Sequence, residues 1–180
     1  MLRRGFLKEK KGLAAVEFAL IGPVLATLLM GTIEMCNALA CHQKVTMLAS
    51  TAADLVAQTK TVSASDMTDI FSAVTSITYP FPSTSAKIVI SSIVSDGAGN
   101  GTVAWSVAKN GTALTTNAAV PVPTGLMSAA LCAKNACSII LATVTFPYTS
   151  PVSKFIVGTV NMTDYFYARP RKSTTVSYTG

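Results

Sequence analysis

An apolar run near the N-terminus constrains the fold of this chain more than any other feature. Leu13–Ile33 reads LAAVEFALIGPVLATLLMGTI, which is 21 residues with one charged side chain. As a helix rising about 1.5 Å per residue, it would span roughly 31 Å, close to the thickness of the hydrocarbon core of a bilayer. A helix buried inside a soluble protein is seldom apolar on every face. We therefore expect residues 13–35 to form a transmembrane helix.

A short basic segment precedes this run. Residues 1–12 hold five Lys or Arg residues and one Glu, so most of the net charge of +6 lies there. Lys and Arg beside a transmembrane helix stay on the cytoplasmic side, where anionic lipids attract them. We therefore predict that residues 1–12 are a cytoplasmic leader and that the chain beyond the helix lies across the membrane. No basic face with interleaved aromatic residues follows, so no nucleic-acid partner is expected.

Glu17 is the single charge within the run, and its spacing from Gly12 indicates a role. A carboxylate inside a bilayer costs about 2.5 kcal/mol or more near the centre, so it requires a compensating interaction. Cleavage between Gly12 and Leu13 would make Glu17 the fifth residue of the mature chain. The new amine on Leu13 would lie roughly 6 Å from Glu17 along the same helix axis, too far for a good hydrogen-bonded pair. A neighbouring helix shifted along the membrane normal would bring its own amine level with Glu17, which would then set the register of packed helices.

The string Gly12-Leu13-Ala14-Ala15-Val16-Glu17-Phe18-Ala19-Leu20, followed by Pro23, resembles the TadE-like minor pseudopilins of the tight-adherence (Tad/Flp) pilus systems. The resemblance implies that a prepilin peptidase cuts between Gly12 and Leu13, and that Glu17 is the assembly carboxylate. It also implies a stalk-and-head fold. Phe146-Pro147-Tyr148 and Arg169-Pro170-Arg171 look like the aromatic-proline and Arg-Pro-Arg segments near the end of such proteins.

Four small residues of the run share one face of the helix. Ala15, Ala19, Gly22 and Ala26 are separated by 4, 3 and 4 positions. Small side chains at such spacing let helix backbones approach closely in lipid, so we predict that this face packs against neighbouring helices. Ordinary small residues on a lipid-facing helix are the alternative. Pro23 removes one backbone donor, which a neighbouring helix would make tolerable.

Two other interpretations of the N-terminus stay open. Ala38-Leu39-Ala40 before Cys41 resembles the cleavage site of a secretory signal peptide, which would release an extracytoplasmic enzyme or binding domain. The length of the apolar run, Glu17 within it and Glu34 before the cut are unusual for a signal peptide. An uncleaved single-pass anchor for an adhesive or sensory head is the third hypothesis.

Beyond the membrane run, the apolar pattern continues at a helical period. Val45, Leu48, Ala52, Leu55, Thr59 and Val62 step by three and four, which predicts one helix from about Leu13 to Lys60 with an amphipathic outer part. A second helix is expected to begin at a cap, Ser63 or Ser65, and to end at Tyr79-Pro80-Phe81-Pro82.

From Lys87 the period changes to two, which predicts strands. Ile88–Val94 and Thr102–Val107 read as strands, and Asn110-Gly111 is a strong signal for a two-residue hairpin turn. Ser138–Tyr148 is the strongest strand and is expected at the centre of the sheet. We also expect a short, helical segment over Leu126–Leu131 and a final strand or helix over Phe155–Tyr167.

The cysteines divide into two pairs. Cys132 and Cys137 are predicted to form a disulfide across a polar turn outside the cytoplasm. Cys36 and Cys41 would lie roughly 140° apart around a helix, so we expect free thiols, with pairing to another subunit as the alternative. With His42 they match no standard zinc spacing, and no nucleophile elbow, P-loop or dinucleotide-binding string occurs. No metal, no cofactor and no catalytic residue is expected.

These features together predict an α+β protein in which a long N-terminal helix carries a small antiparallel β-sheet head. Its parts are a basic leader, a transmembrane helix, an amphipathic continuation and an extracytoplasmic head: residues 1–12, 13–35, 36–62 and 63–180. The resemblance implies a non-catalytic minor pilin or pseudopilin in Tad-type pilus assembly. Its implied partners are a prepilin peptidase, the major pilin, other minor pilins and the assembly platform in the bacterial inner membrane. We expect a single-pass inner-membrane protein with a cytoplasmic N-terminus; its position in or below the pilus is left open.

Overall fold

The computed structural model describes residues 12–123, 125–127, 137–150 and 158–180. It confirms the α+β architecture, with a long helix α1 (Leu13–Ala57), a short helix α2 (Ala64–Thr75) and an antiparallel sheet. The strands of the sheet are β2 (Lys87–Ser95), β3 (Gly101–Lys109), β4 (Ala119–Val120), β5 (Ser138–Thr149) and β6 (Thr159–Ala168). Two further strands form a separate parallel pair, β1 (Thr61–Ser63) and β7 (Ser177–Thr179).

Helix α1 is continuous over 45 residues, and its second half has the expected buried stripe. The buried residues are Cys41, Val45, Leu48, Ala49, Ala52, Ala53, Val56 and Ala57. The helix ends at Ala57, three residues before the predicted Lys60. It ends there because the chain turns tightly, with the Thr59 N–H donating to the Val56 carbonyl at 3.1 Å, and then enters the extended strand β1.

Helix α2 begins at a capping box, and its cap residue is Ser63, one of the two residues predicted for this position. The Ser63 side chain accepts from the Asp66 N–H, and the Asp66 carboxylate accepts from the Ser63 N–H. These hydrogen bonds satisfy two donors that the first helical turn leaves unpaired. The bonds from Ser63 also hold the pKa of Asp66 below its ordinary value, because they favour the charged carboxylate.

The five-stranded sheet has the order β4-β3-β2-β5-β6. Strand β5 was expected at the centre, but β2 takes the middle position and β5 lies between it and the edge strand β6. The difference arises because β3 and β4 both extend the sheet on the far side of β2. Residues 155–157 of the final segment, predicted as strand or helix over Phe155–Tyr167, lie outside the described residues, and Thr159–Ala168 forms the strand β6.

The predicted hairpin at Asn110-Gly111 is wrong. Strand β3 ends at Lys109, and the chain rejoins the sheet only at β4, which pairs with the beginning of β3. Asn110 does adopt the left-handed conformation that such a turn needs, with φ of 56°. Its side-chain amide donates to the Thr84 and Ala86 carbonyls at 3.2 and 3.1 Å, so it fastens the end of β3 to the loop before β2.

The parallel pair of β1 and β7 was not predicted, because strands of three residues show no periodicity. It brings the C-terminal segment back to the point where α1 has just ended. The Trp105 indole N–H donates to the Val176 carbonyl at 2.7 Å, and the Trp105 and Tyr178 rings are 5.6 Å apart between centroids. The predicted segment Leu126–Leu131 lies mostly outside the described residues.

The sheet buries apolar side chains on both faces. One face packs on α1 and α2 through residues that include Ile88, Ile90, Ile140, Val144 and Phe146. The other face carries a smaller cluster of Ile93, Val103, Met127, Ile139 and Leu141. The second half of α1 is therefore part of the buried core of the head.

Candidate functional site

Most of the first half of α1 extends away from the head, and its last turns, around Glu34 and Ala38, approach the head. Between Leu13 and Ala40 every residue is exposed except Gly22, Glu34 and Ala38, which are half-buried. The large apolar side chains of this half are 47–73% exposed. By length and apolar composition α1 can cross a membrane, and none of its most apolar stretch is buried. A contiguous apolar surface of this size requires lipid or other helices to cover it.

Gly12 caps the beginning of α1 without a special backbone need. Its φ is −83° and its ψ is −15°, which any residue adopts. A Cβ placed there would meet nothing within 4 Å. Neither the backbone nor the packing of this chain therefore requires glycine before Leu13. The predicted cut between these residues gives Gly12 a function that the fold does not.

Glu17 lies exposed on the second turn of α1, among apolar neighbours. The described part of α1 offers no cation between Leu13 and Ile33. Farther along the same half, the hydroxyls are satisfied within the helix, with Thr27 Oγ1 donating to the Pro23 carbonyl at 2.8 Å and Thr32 Oγ1 to the Leu28 carbonyl at 2.9 Å. The Glu17 carboxylate therefore needs a partner from another molecule if this half lies in a membrane.

The small-residue face lies on an unbroken helix, since α1 runs through Pro23. Ala15, Ala19 and Ala26 are exposed, but Gly22 is half-buried. An added Cβ at Gly22 would lie 3.6 Å from the Phe18 ring, so this ring covers the glycine within the isolated chain. A neighbouring helix that approaches Gly22 closely would have to displace Phe18. The packing of this face against another helix stays a prediction.

The second half of α1 is fixed to the head by polar contacts that the sequence did not indicate. Arg171 forms a salt bridge with Asp54 and donates its backbone N–H to the Ala57 carbonyl at 2.8 Å. Gln58 Nε2 also donates to the Asp54 carboxylate, at 2.6 Å. On the edge strand, the Asp164 carboxylate accepts from Thr46 Oγ1. The Arg-Pro-Arg segment therefore meets α1 near its C-terminal end.

The described cysteines of α1 are free thiols, as expected. Cys36 is exposed, whereas Cys41 is fully buried, and this burial raises the pKa of its thiol. Cys132 lies outside the described residues, so its predicted bridge to Cys137 stays a prediction. In the part of the chain that the structure describes, no group of three or more possible metal ligands lies together.

Comparison with known proteins gives one match. Residues 12–54 match the model of the TadE-like protein family. The match covers about a quarter of the chain and includes Gly12, Leu13, Glu17 and all four small residues. It confirms the resemblance to the TadE-like family for this segment. No match was found among curated proteins or among solved structures.

Proposed function

We propose that this chain is a non-catalytic minor pilin or pseudopilin that takes part in assembling a Tad-type pilus. The observation that carries the proposal is the TadE-like match over a helix whose first half is apolar and unpacked. Such a helix is suited to insertion in the inner membrane and to packing beside other helices. The head then lies on the periplasmic or extracellular side.

The first step is removal of the leader by a prepilin peptidase. Cleavage after Gly12 removes the basic residues that hold the N-terminus in the cytoplasm. It also leaves a charged amine on Leu13, one turn before Glu17. The amine of a neighbouring subunit, shifted along the membrane normal, then neutralises this carboxylate. A charge pair of this kind favours one register of packed helices over others.

The partners of this subunit follow from the two halves of α1, one exposed and one packed on the head. The exposed half of α1 packs against the helices of the major pilin, of other minor pilins or of the membrane platform. Ala15, Ala19, Gly22 and Ala26 supply the face on which backbones approach. The head holds the second half of α1 in place, because the α1 side chains Leu48 and Val56 are buried in the core that the helix shares with the sheet.

The signal-peptide alternative fits the structure less well. Ala38-Leu39-Ala40 lies inside continuous helix, and the next side chain, Cys41, is fully buried. A cut there would place a charged amine on a buried residue, which is unfavourable. The family match also runs through this position without interruption. A plain anchor without processing remains the competing hypothesis that the experiment must exclude.

The test is intact mass spectrometry of the protein co-expressed with its prepilin peptidase, because the mass shows at which residue the mature chain begins. We expect a chain that begins at Leu13. Gly12→Val should keep Met1 and the leader, whereas Gly31→Val should be processed normally. Gly31 is the matched control because an added Cβ there also meets nothing within 4 Å. A mature N-terminus at Cys41, or an intact leader in the unmodified chain, would contradict the proposal.

A further inference from the structure

The two edges of the five-stranded sheet differ in length. At one edge, β4 has two residues, whereas β6 at the other has ten and pairs with β5 in one unbroken register. Proteins usually protect a long edge strand with Lys, Pro or a bulge, because its unpaired backbone groups are a template for another strand. Strand β6 has none of these. Its one charged residue, Asp164, faces α1, where it accepts from Thr46 Oγ1.

The backbone groups that β6 directs away from β5 belong to every second residue. The hydroxyls of Thr145 and Thr163 lie 3.0 Å apart, and side chains approach this closely where the backbone groups of an antiparallel pair point outward. The Tyr165 N–H, at the next outward position, donates to the Asp164 carboxylate at 2.9 Å. Among the described residues, no backbone bond besides the ladder with β5 reaches Thr163 or Tyr167. These two residues therefore keep outward backbone groups for a further strand.

A groove of about 690 Å³ opens beside the same part of β6. It lies between residues 50–55 of α1 and residues 166–171. Phe166, which alternates in step with Asp164 on the α1 side of β6, lines this groove and is 42% exposed. We call Thr163–Ala168 the edge segment. A strand added there would lie about 4.8 Å from β6, and its side chains on the α1 side would cover Phe166.

The groove carries an uncompensated positive charge. Arg171 pairs with the Asp54 carboxylate. Arg169 also lines the groove, but it donates to the Leu126 carbonyl at 2.8 Å and forms no ion pair with a described residue. A carboxylate on the added strand would complement this guanidinium, whereas a Lys or Arg would be repelled by it.

A second copy of this chain does not fit the edge segment. Antiparallel pairing of two β6 strands would relate the copies by a two-fold axis perpendicular to the sheet. Because α1 packs on one face of the sheet, this rotation would point the two α1 helices in opposite directions. They could not both enter one membrane from the same side. This exclusion rests on the membrane-spanning part of the proposed function.

We propose that the edge segment binds an extended segment of another protein as a sixth strand of the sheet. The outward groups of Thr163 and Tyr167 exchange backbone hydrogen bonds with it, as in other cases of strand addition. Its apolar side chains face α1 and cover Phe166, and a carboxylate near one end pairs with Arg169. The partner is therefore a protein with an unpaired, acidic, strand-forming segment.

The experiment measures the binding of short labelled peptides to the full chain in detergent by fluorescence anisotropy. The probe alternates valine and threonine and has glutamate at both ends, so that either strand direction places one carboxylate beside Arg169. We expect it to bind, and a lysine-ended peptide to bind about tenfold more weakly, the factor of one hydrogen bond to a charged group. Arg169→Gln should remove this difference. Hydrogen exchange should slow over residues 163–168 when the glutamate peptide binds.

Thr163→Pro removes an outward N–H and leaves the ladder with β5 intact, so it should weaken binding at least about fivefold. Thr163→Val is the matched control, because it also loses the hydroxyl contact with Thr145 but keeps the N–H. The Trp105 unfolding curve shows whether each variant is folded. A peptide with N-methyl groups on all its central amides should not bind the unmodified chain, which tests the backbone pairing without any variant.

Four results would overturn the proposal. They are no binding of the glutamate peptide, equal binding of the N-methyl peptide, a preference for the lysine peptide, and a dimer of the unmodified chain that excess peptide dissociates. Full binding by folded Thr163→Pro would do the same. None of these results depends on cleavage after Gly12, so failure of the proposed processing is distinguished from failure of strand addition.

Discussion

The two halves of α1 are one helix with two different environments. From Leu13 to Ala40 its large apolar side chains are exposed, and from Cys41 to Ala57 a stripe of apolar side chains is buried in the core of the head. Apolar composition alone therefore does not say what a helix packs on. The first half is apolar all round and needs partners from outside the chain, whereas the second half has one apolar face that its own head covers.

The largest effect expected from this difference is on the stability of the head. Leu48→Ala should lower its free energy of unfolding by about 2–5 kcal/mol, because it leaves a cavity in a packed core. Leu28→Ala should change it by less than about 0.5 kcal/mol, since Leu28 is 63% exposed. Urea unfolding of the full chain in detergent, followed by the fluorescence of Trp105, measures both. Equal destabilisation by the two variants would show that the helix is not divided in this way.

The cysteines offer a second comparison between the helix and the head. Cys137→Ser should lower stability by about 2 kcal/mol, because the predicted bridge to Cys132 closes a short loop in the unfolded chain. Cys36→Ser should leave stability unchanged, since Cys36 is a free, exposed thiol. Non-reducing peptide mapping checks the bridge directly. Alkylation of Cys137 without prior reduction would refute it.

A third change acts on assembly rather than on folding. Glu17→Ala should reduce co-purification with the major pilin about tenfold, which corresponds to about 1.4 kcal/mol of lost pairing. The Trp105 unfolding curve should not move, because Glu17 is exposed and remote from the head. Glu34→Gln is the control on the same helix and should still co-purify. Loss of head stability in Glu17→Ala would contradict the separation of the two halves.

The smallest effect is expected at the surface contact between the second half of α1 and the C-terminal segment, where Arg171 meets Asp54. Arg171→Ala removes a salt bridge whose side chains are 66% and 37% exposed, so water screens it. We expect a loss of less than about 1 kcal/mol that shrinks further in high salt. Measuring the unfolding midpoint of this variant at low and high ionic strength tests the screening. A loss that grows with salt would assign another role to Arg171.

Much of the fold could be predicted because the relevant signals are local. The apolar run, the three-four spacing of Val45, Leu48 and Ala52, and the Ser63 cap each lie within a few turns of chain. Pairings between distant residues could not be predicted. Asp54 and Arg171 are 117 residues apart. Asn110 has the left-handed backbone that suits a hairpin turn, but the predicted hairpin is wrong, since strand pairing depends on distant residues.

The candidate site likewise combines features that local sequence predicts with features that depend on contacts between distant residues. The roles predicted for Gly12 and Glu17 come from their spacing and from the TadE-like resemblance, and both signals lie in the order of residues along the chain. The cavity of about 380 Å³ between α1 and the strands β5 and β6 was missed, since Glu34 and Tyr148 are brought together only by the packing of α1 on these strands. A Tyr in a strand carries no sequence signal that its hydroxyl will be buried.

The parallel pair of β1 and β7 has a mechanical consequence. Strand β1 directly follows α1, and β7 lies in the last residues of the chain. A force on the helix therefore reaches β1 before the rest of the head, and the hydrogen bonds of β1 to β7 join that point to the C-terminal segment. The contact of Arg171 with Asp54 and Ala57 lies beside the same joint. A subunit held by its helix therefore transmits tension to its head through both ends of the head's own sequence.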